Sequence, residues 1–327
     1  MSRVSLEVIA AELGISAMTV SRALRGRPGV SAELRQRVRE VAERLGYRQD
    51  PEIGRLMHHL RYAEKEGSNA VLCAVTDFPQ ESEPRYCKRL HQNASIRAEE
   101  LGYAFTVVRV TRGKGGWRAA LRTIRARGIE GILISPLVVQ SALDGENWED
   151  FSVVLATSSV TAPRFHEVVP NHSANARLVV DQLVAQKHQR LGFVGLSTHV
   201  QRTRESFLTA LAWHHARHGV NCAPLMYEPD KVPDILPWLR SERPDVVIVG
   251  RATDLPRFRD EAAKAGIRVP FTQANSRAFF DFGPGLDERD DLIGVIAVDT
   301  LSRLVMRGER GVPKVPTSVS ITGEWIP

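Results

Sequence analysis

Residues 5–24 read SLEVIAAELGISAMTVSRAL, in which apolar side chains recur at helical spacing on both sides of one glycine. Two helices that cross closely through a short turn need a small residue at the contact, a turn residue with positive φ, and an aliphatic residue behind. Ala10, Gly14 and Val20 meet these needs in that order. We therefore predict a helix-turn-helix in this stretch, with Gly14 in the turn.

Three serines stand where helices are expected to begin. Ser5, Ser16 and Ser31 each precede an apolar pattern, and a serine in that position caps the backbone N–H groups of the first turn. The expected helices are 6–13, 17–24 and 32–45, and Gly46 closes the last one. Residues 1–48 are therefore predicted to form a three-helix headpiece.

Positive charge is concentrated at the start of the chain. Residues 1–62 hold eleven arginines and seven acidic residues, so they carry +4 of the formal net charge of +6. With the helix-turn-helix, this favours DNA binding, with the second helix in a major groove, serine caps near phosphates, and the Arg22 fork on a guanine edge. A small helical bundle used for protein contacts is the alternative. The candidate DNA-binding residues are Ser5, Ser16, Ala17, Met18, Thr19, Ser21, Arg22 and Ser31.

A further short helix is predicted after the headpiece. Asp50 and Pro51 suit an N-cap and a first helical position, and apolar residues follow at helical spacing as far as Leu60. About three turns of helix are too short to be stable alone in water. Residues 62–69 are rich in charged and small residues. We assign residues 49–69 to a hinge helix and linker.

From Ala70 onward, apolar strands alternate with amphipathic helices. This alternation predicts an α/β fold of parallel sheets covered on both faces by helices. The stretch is too long for one doubly wound sheet, so we expect residues 70–327 to form two lobes with a cleft between them. The predicted strands are 70–76, 104–110, 131–135, 152–156, 191–195, 245–250 and 318–322. The predicted helices are 86–101, 117–127, 173–186, 203–217, 254–265 and 288–306.

The composition and motifs argue against several other classes of protein. Apolar runs fall far short of the roughly 18 residues of a membrane span, and the start of the chain lacks a signal-peptide cleavage site, so we expect a cytoplasmic protein. Cys73, Cys87 and Cys222 have no CxxC spacing, which argues against a disulfide framework or a zinc cluster. His214 and His218 lack the glutamate of a metalloprotease helix, and the glycine-rich loops lack phosphate-loop order. We therefore expect no metal, no cofactor and no catalysis.

The headpiece sequence and several later segments resemble one known family. The stretch from Val4 to Leu24, with Gly29-Val30-Ser31 and Leu45-Gly46-Tyr47, resembles the headpiece of the lactose-repressor (LacI/GalR) family of bacterial transcription regulators. Looser resemblances continue nearly to the end of the chain. They are RAEELGY at 97–103, GIEGILI at 128–134, KAGIRVP at 264–270 and DLIG at 291–294.

The resemblance implies a headpiece that binds DNA as a dimer, a hinge helix in the minor groove, and a periplasmic-binding-protein-like core that senses a small molecule. It places Leu56 where the family inserts a leucine between base steps. Burial of Leu56 against the core is the alternative. Ile53 and Gly54 depart from the small and polar residues that the family usually has there.

The resemblance also implies polar effector-binding positions on the inner faces of the lobes. The first falls on Asn171, and the helix arginine is ambiguous because the match falls on Thr203, between two arginines. Residues that follow strands are further candidates, since ligands of open parallel sheets bind at the carboxyl ends of strands. The candidate effector-binding residues are Asp77, Phe78, Ser135, Asn171, Arg202, Arg204, Arg251, Asp254 and Asn275.

The sequence thus predicts a sequence-specific DNA-binding repressor that is controlled by a small-molecule effector, a sugar or a related polar metabolite. Its expected partners are double-stranded DNA with a near-palindromic operator and a second copy of the chain. Two alternatives stay open: a two-lobed binding protein with a degenerate headpiece, and a two-lobed sugar or nucleoside enzyme with a helical appendage. The basic headpiece argues against the enzyme, and the intact Ala10, Gly14, Val20 and Tyr47 argue against degeneration.

Overall fold

A computed structural model of the chain describes residues 5–24, 30–47, 70–111, 115–138, 140–274 and 284–327. The chain divides into two compact units, which are Met1–Ala70 with Arg303–Glu309, and Val71–Ser302 with Arg310–Pro327. The predicted hinge helix and linker, with Leu56, lie outside the described residues, and so does Asn275. The predicted boundaries at 48 and 69 stay a prediction.

The headpiece contains three helices, α1 (Leu6–Leu13), α2 (Ala17–Leu24) and α3 (Ala32–Arg44). All three predicted helices are confirmed, and α3 ends one residue early, with Leu45 as its C-cap. The apolar stripes of the helices pack on one another in a small core. Its buried residues are Ile9, Ala10, Val20, Ala23, Val38, Val41 and Ala42.

The turn between α1 and α2 depends on a left-handed residue. Gly14 has a φ of +64°, which costs a glycine little because it has no Cβ. The N–H of Ile15 then donates to the carbonyl oxygen of Ala10 at 3.1 Å, which satisfies an end carbonyl of α1. The predicted tight turn is therefore confirmed.

Beyond residue 70, helices and strands alternate along the chain. The helices are α4 (Arg85–Glu100), α5 (Gly116–Ala126), α6 (His172–Ala185), α7 (Ser197–Arg202), α8 (Ser206–His218), α9 (Leu236–Glu242), α10 (Leu255–Lys264) and α11 (Asp290–Arg307). The first seven strands are β1 (Val71–Thr76), β2 (Ala104–Arg109), β3 (Gly131–Ile134), β4 (Ser141–Ala142), β5 (Ser152–Leu155), β6 (Val160–Ala162) and β7 (His166–Pro170). The later strands are β8 (Arg190–Leu196), β9 (Asn221–Tyr227), β10 (Val246–Val249), β11 (Phe271–Gln273), β12 (Gly285–Asp287), β13 (Ser318–Ile321) and β14 (Glu324–Ile326).

The described strands form two six-stranded sheets, one in each lobe, beside a small β4–β6 pair. The first lobe has the order β13-β7-β5-β3-β1-β2, with every neighbouring pair parallel. The second has the order β14-β12-β11-β10-β8-β9, and its edge strand β14 is antiparallel to β12. The chain passes to the second sheet between β7 and β8, returns between β12 and β13, and crosses again between β13 and β14. The predicted two-lobed α/β core is confirmed.

Several elements differ from the prediction. The predicted helix 203–217 corresponds to α8, which begins three residues later than predicted because Arg204 and Glu205 have φ values of +53° and +56° and interrupt the helical backbone. The strands β4, β6, β7, β9, β11, β12 and β14 and the helices α7 and α9 were not predicted as elements. β9 contains Pro224, which lacks a backbone N–H and is tolerated because β9 is an edge strand.

Each lobe has its own apolar packing. In the first, Trp148 packs edge-on against Trp117 and Phe165, with ring centroids 6.3 and 5.3 Å apart. In the second, the rings of Phe193 and Phe207 are stacked, with centroids 5.5 Å apart and planes 8° apart. No helix in the described part of the chain combines the length and apolar character that crossing a bilayer requires.

Candidate functional site

The start of α2 is held by a serine cap. The Ser16 Oγ accepts a hydrogen bond from the N–H of Thr19 at 3.1 Å and lies 2.8 Å from the Thr19 Oγ1. The Ser31 Oγ likewise accepts from the N–H of Leu34 at 3.2 Å at the start of α3. Both predicted caps are confirmed. Ser5 has the extended backbone of an N-cap but makes no side-chain cap bond, so the expectation of a capping side chain at Ser5 is wrong.

The exposed face of α2 carries the predicted DNA-reading side chains. Met18 is 69% exposed at the first turn, which is unusual for a large apolar side chain. Arg22 is also exposed, and it makes no ion pair with another described residue. Val20 and Ala23 face the headpiece core. The helix therefore presents both polar and apolar side chains to solvent. The predicted residues Ala17, Thr19 and Ser21 are partly exposed.

Three predicted effector residues follow strands of the first lobe. Asp77 is buried, and its Oδ1 accepts a hydrogen bond from the N–H of Val138 at 2.7 Å. The N–H of Phe78 donates to the Thr76 Oγ1 at 3.2 Å. Ser135 is fully buried. Asp77 and Ser135 therefore hold the loops at the carboxyl ends of β1 and β3.

Ser135 is the end of a buried polar chain. Its Oγ lies 2.7 Å from the His91 Nε2, and the His91 Nδ1 lies 2.7 Å from the Glu83 carboxylate. Arg109 donates to the other Glu83 oxygen at 2.7 Å. Burial lowers the pKa of His91 despite the Glu83 charge. Serine, imidazole and carboxylate have the order of a hydrolase triad, but a substrate has no route to a fully buried serine hydroxyl.

The predicted polar residues around the second lobe make local contacts. The Asn171 side chain caps α6 by accepting from the N–H of Ala174 at 3.1 Å. Arg251 donates to both carboxylate oxygens of Asp254 at 2.8 and 2.7 Å, and the Tyr227 hydroxyl also contacts Asp254. The pairing is bidentate, so two N–H donors of Arg251 and both carboxylate oxygens of Asp254 are already engaged.

The two arginines beside Thr203 differ in environment. The Arg204 side chain is 76% exposed and lies 3.6 Å from Glu167. The Arg202 Nε is buried without a hydrogen-bond partner in the described structure, and burial lowers the pKa of Arg202. The charge of Asp77 and the Tyr86 hydroxyl, both from the first lobe, act on Arg202.

A pocket that is partly open to solvent lies at the carboxyl ends of the second-lobe strands. Its polar lining consists of His172, Asn175, His199, Thr203, Ser206 and Glu288. Its apolar lining consists of Phe193, Val200, Phe207, Gly250 and Ala274. Of the effector candidates that the structure describes, none lines the pocket, although His172, Thr203 and Gly250 are their neighbours in sequence.

The pocket therefore contains polar residues that were not predicted, namely Glu288, Ser206, Asn175, His172 and His199. The rule that ligands bind beyond carboxyl ends of strands identifies Gly250, Ala274 and Glu288, which directly follow β10, β11 and β12. These three strands are short, and of the three only β10 was predicted from the sequence.

Two buried polar groups of the pocket lack partners. The Asn175 Oδ1 accepts from the N–H of Gly323 at 2.7 Å, which directs the amide nitrogen away from that contact. The Asn175 Nδ2 and the Ser206 Oγ have no hydrogen-bond partner among the described residues, although both side chains are almost fully buried. Unpaired buried polar groups are costly, which indicates that a ligand or water completes them.

The ionisable groups of the pocket are a carboxylate and two imidazoles. The Glu288 carboxylate lies 3.7 Å from the His172 Nδ1, and the His172 Nε2 lies 3.2 Å from the Ser158 Oγ of the first lobe. Burial, followed by the charge of Arg202, lowers the pKa of His199 to about 4. His199 is therefore neutral at pH 7.

The cysteines and the described acidic and histidine clusters show no reactive centre. Burial raises the pKa of Cys73 to about 12 and that of Cys222 to about 11, and it raises the pKa of Cys87 well above its usual range. All three are free thiols. Protonated thiols are poor nucleophiles. Within the described ranges, no three His, Cys, Asp or Glu side chains form a group that could hold a metal ion.

Comparison with known proteins supports the headpiece and the fold. Residues 5–50 match the family model described as bacterial regulatory proteins, lacI family. A curated relative, the HTH-type transcriptional regulator MalR of Streptomyces coelicolor, is 28% identical over 192 residues, which cover 56% of this chain and 51% of MalR. The HTH-type transcriptional regulator reg1 of Streptomyces lividans is 27% identical over the same shares. The chain thus spans about half the length of the curated relatives it matches.

Solved structures of other proteins share the fold. A lac repressor dimer bound to operator and the anti-inducer ONPF matches with a TM-score of 0.58 and 17% identity, covering 100% of this chain and 98% of that chain. The regulator CelR in complex with cellobiose matches with a TM-score of 0.59 and 16% identity, covering 99% of each chain. At these identities, the likeness establishes the fold alone.

Proposed function

We propose that the chain belongs to the lacI family of bacterial regulatory proteins, and that it is a sequence-specific DNA-binding repressor controlled by a small molecule bound between the lobes of its core. The single observation that carries the proposal is the serine-capped helix α2, whose first turn is open to solvent within a helix-turn-helix. In helix-turn-helix proteins, the second helix is the one that enters the major groove.

The side chains of α2 are suited to different kinds of contact with DNA. Met18 projects an apolar side chain that can contact a thymine methyl group, and Arg22 has the donor fork for guanine O6 and N7. Ser16 lies at the positive end of α2 and is a candidate for a phosphate contact. Ser5, Ser21 and Ser31 are further phosphate candidates, with Ala17 and Thr19 at the groove.

A second copy of the chain completes the proposed DNA complex. One headpiece reads half of an operator, so a near-palindromic operator requires two headpieces related by two-fold symmetry. The lac repressor, a structural neighbour, was solved as a dimer bound to operator. Insertion of Leu56 between base steps, within a hinge at residues 49–69, stays part of the proposal.

The proposed effector site is the second-lobe pocket with the first-lobe residues that face it. The structural neighbour CelR was solved with cellobiose. Asp77, Phe78, Ser135, Asn171, Arg202, Arg204, Arg251, Asp254 and Asn275 stay candidates for contact with an effector when the lobes close. An effector shifts DNA affinity by its differential affinity for the two core states, typically about 1–3 kcal/mol. We propose no catalytic step, no cofactor and no membrane partner for this chain, and we propose that it acts in the cytoplasm.

A DNA-binding titration tests the proposal. The full chain is titrated against the intergenic DNA upstream of its own gene and against random DNA of equal length. We expect tighter binding to the first, and Arg22→Ala is expected to cost about 1–3 kcal/mol on it and little on random DNA. Arg118→Ala removes an exposed arginine of the core and is the matched control. Equal losses on both DNAs would contradict base reading by Arg22.

A further inference from the structure

The connection from β12 to α11 contains a non-glycine residue in the left-handed region. β12 ends at Asp287 and α11 begins at Asp290, so Glu288 and Arg289 form a two-residue joint between them. Arg289 has a φ of +60°, where the Cβ of an L-residue is crowded by its own backbone. Such a conformation persists only where the surrounding structure holds it. The joint therefore depends on its partners.

One arginine of α4 binds carboxylates on both sides of this joint. Arg89 donates to the two carboxylate oxygens of Asp287 at 3.0 and 2.9 Å and to Asp291 at 2.7 Å. Burial opposes the charge of Arg89, but its hydrogen bonds to Asp287 and the charges of Asp287 and Asp291 raise its pKa. Both carboxylate side chains are mostly buried, so solvent and salt screen these charge-assisted bonds weakly. Arg89 thus ties the end of β12 to the first turn of α11.

The same two carboxylates hold Arg289 itself. The backbone N–H of Arg289 donates to the Asp287 Oδ1 at 2.8 Å, and its guanidinium donates to Asp291 at 3.3 and 3.2 Å. Arg89 therefore orients the carboxylate that accepts from the backbone of the left-handed residue. Loss of Arg89 would free Asp287 to turn away from that N–H.

The helix that carries Arg89 is fixed against α11. α4 lies between β1 and β2 of the first lobe. A Cβ built at Gly294 of α11 would lie 2.4 Å from the carbonyl oxygen of Leu90 and 3.2 Å from the backbone nitrogen of Ala94, so the backbones of the two helices are in close contact. β12 belongs instead to the sheet of the second lobe. Arg89 therefore joins a first-lobe helix to the last residue of a second-lobe strand.

The joint also carries part of the pocket wall. Glu288, the residue before Arg289, lines the pocket of the second lobe. The backbone of Asp287 packs against Gly323, where a Cβ would lie 2.5 Å from the Asp287 carbonyl oxygen, and the Gly323 N–H donates to the pocket residue Asn175. Two lobe crossings and the pocket wall thus meet at Asp287. A change of backbone conformation at the joint would move all three together.

We infer that Arg89 is a positioning residue, which holds the left-handed joint at Arg289 and thereby fixes the angle between the lobes and the place of Glu288 in the pocket wall. Without Arg89, the joint relaxes and the lobes sample a wider range of angles. The inference concerns the core and goes beyond the proposed function, because it requires neither DNA nor an effector.

Hydrogen exchange of the unliganded full chain, followed by mass spectrometry, tests the role of Arg89. We expect Arg89→Gln to speed exchange about tenfold in peptides that contain Arg289 and Gly323, as loss of hydrogen bonds between charged groups would do, and to leave β1 unchanged. Arg97→Gln is the matched control, because Arg97 joins the same two helices through Asp299 at 2.7 Å, away from the joint. Its expected effect at Gly323 is less than about threefold. Equal acceleration in the two variants, or faster exchange of β1 in Arg89→Gln, would overturn the inference.

A glycine at the joint separates the positioning role from general stabilisation. Glycine adopts a φ of +60° at little cost, so Arg289→Gly is expected to make Arg89 dispensable for the conformation of the joint. In that background, we expect Arg89→Gln to speed exchange at Gly323 by less than about threefold. An undiminished effect would show that Arg89 acts without the left-handed residue and would overturn the inference.

Small-angle X-ray scattering of the full chain measures the lobe angle directly. We expect a larger radius of gyration in Arg89→Gln than in wild type and in Arg97→Gln, at equal oligomeric state. Identical scattering profiles of the three proteins would also overturn the inference, because the angle between the lobes would then not depend on Arg89.

Discussion

The amide oxygen of Asn175 accepts a hydrogen bond from the backbone N–H of Gly323 at 2.7 Å, which ties the first turn of α6 to the segment between β13 and β14. Both segments are crossings between the lobes. One side chain therefore joins two lobe connections and orients its remaining amide donors at the pocket. Movement of either crossing would change the position of a pocket donor.

The same crossing leaves no space for a side chain at Gly323. A Cβ built there would lie 2.5 Å from the carbonyl oxygen of Asp287, a backbone atom that cannot easily move. We expect Gly323→Ala to destabilise the core by about 1–3 kcal/mol. Gly145→Ala is the control, because a Cβ at Gly145 has no atom within 4 Å, and it is expected to change stability by less than about 0.5 kcal/mol. Urea unfolding followed by tryptophan fluorescence measures both, since all five tryptophans follow residue 116. Equal stability of the two variants would contradict the steric argument.

The headpiece offers two serines with the same predicted role and different contacts. Ser31 caps α3 through the N–H of Leu34, whereas the Ser5 side chain makes no cap bond. We expect Ser31→Ala to destabilise the headpiece by about 1 kcal/mol and Ser5→Ala by a few tenths at most. Hydrogen exchange at the amides of Val38 and Val41 in the full chain measures the opening free energy of the headpiece. Faster exchange in Ser5→Ala than in Ser31→Ala would show that the cap bonds are assigned wrongly.

The headpiece could be predicted from sequence because its signals are local. Caps, a left-handed glycine and helical spacing act within a few residues of one another, and α1, α2 and α3 follow from them almost to the residue. The edge strand β9 could not be predicted, because its sequence contains polar residues and a proline. These residues are tolerated because β9 pairs with β8 alone. The break at Arg204 was missed because non-glycine residues with positive φ leave no signal in the pattern.

The position of the pocket could be predicted from the sequence, but its lining residues could not. Chain order predicts that loops after parallel strands form the cleft, and Gly250 and Glu288 stand at such ends. Whether a polar residue there is available to a ligand depends on tertiary partners. Arg251 and Asp254 were attractive candidates, but they bind each other, while the unpartnered Ser206 is the first residue of α8, which was predicted to begin at residue 203.

The buried chain from Ser135 to Arg109 predicts a large stability effect. Replacement of Glu83 by Gln removes the charge that pairs with both His91 and Arg109 in a buried site, so we expect Glu83→Gln to destabilise the core by about 3 kcal/mol. Glu100→Gln is the control, since the Glu100 side chain is 56% exposed in its pair with Arg97 and is expected to contribute at most about 0.5 kcal/mol. Urea unfolding measures both. A loss in Glu83→Gln no larger than that in Glu100→Gln would mean that the buried chain contributes little to stability.

The depressed pKa of His199 predicts a loss of stability on acidification. His199 has a pKa of about 4 in the folded chain because of burial and then the charge of Arg202, with Glu288 opposing and His172 and Arg251 reinforcing the shift. The unfolded chain has the ordinary histidine pKa of about 6.5 and binds the proton more readily, so the free energy of unfolding falls as pH drops from about 6.5 towards 4.

Between pH 7.5 and pH 5, His199 is expected to account for at most about 2 kcal/mol of this loss. His199→Gln removes the titrating group, so the variant should lose that much less stability over the same range. Burial also lowers the pKa of His91 and His214, and the variant is therefore expected to keep part of the slope. Urea unfolding of the core at the two pH values, followed by tryptophan fluorescence, measures the difference. An identical pH dependence in wild type and His199→Gln, at matched ionic strength, would show that His199 titrates alike in the folded and unfolded chains.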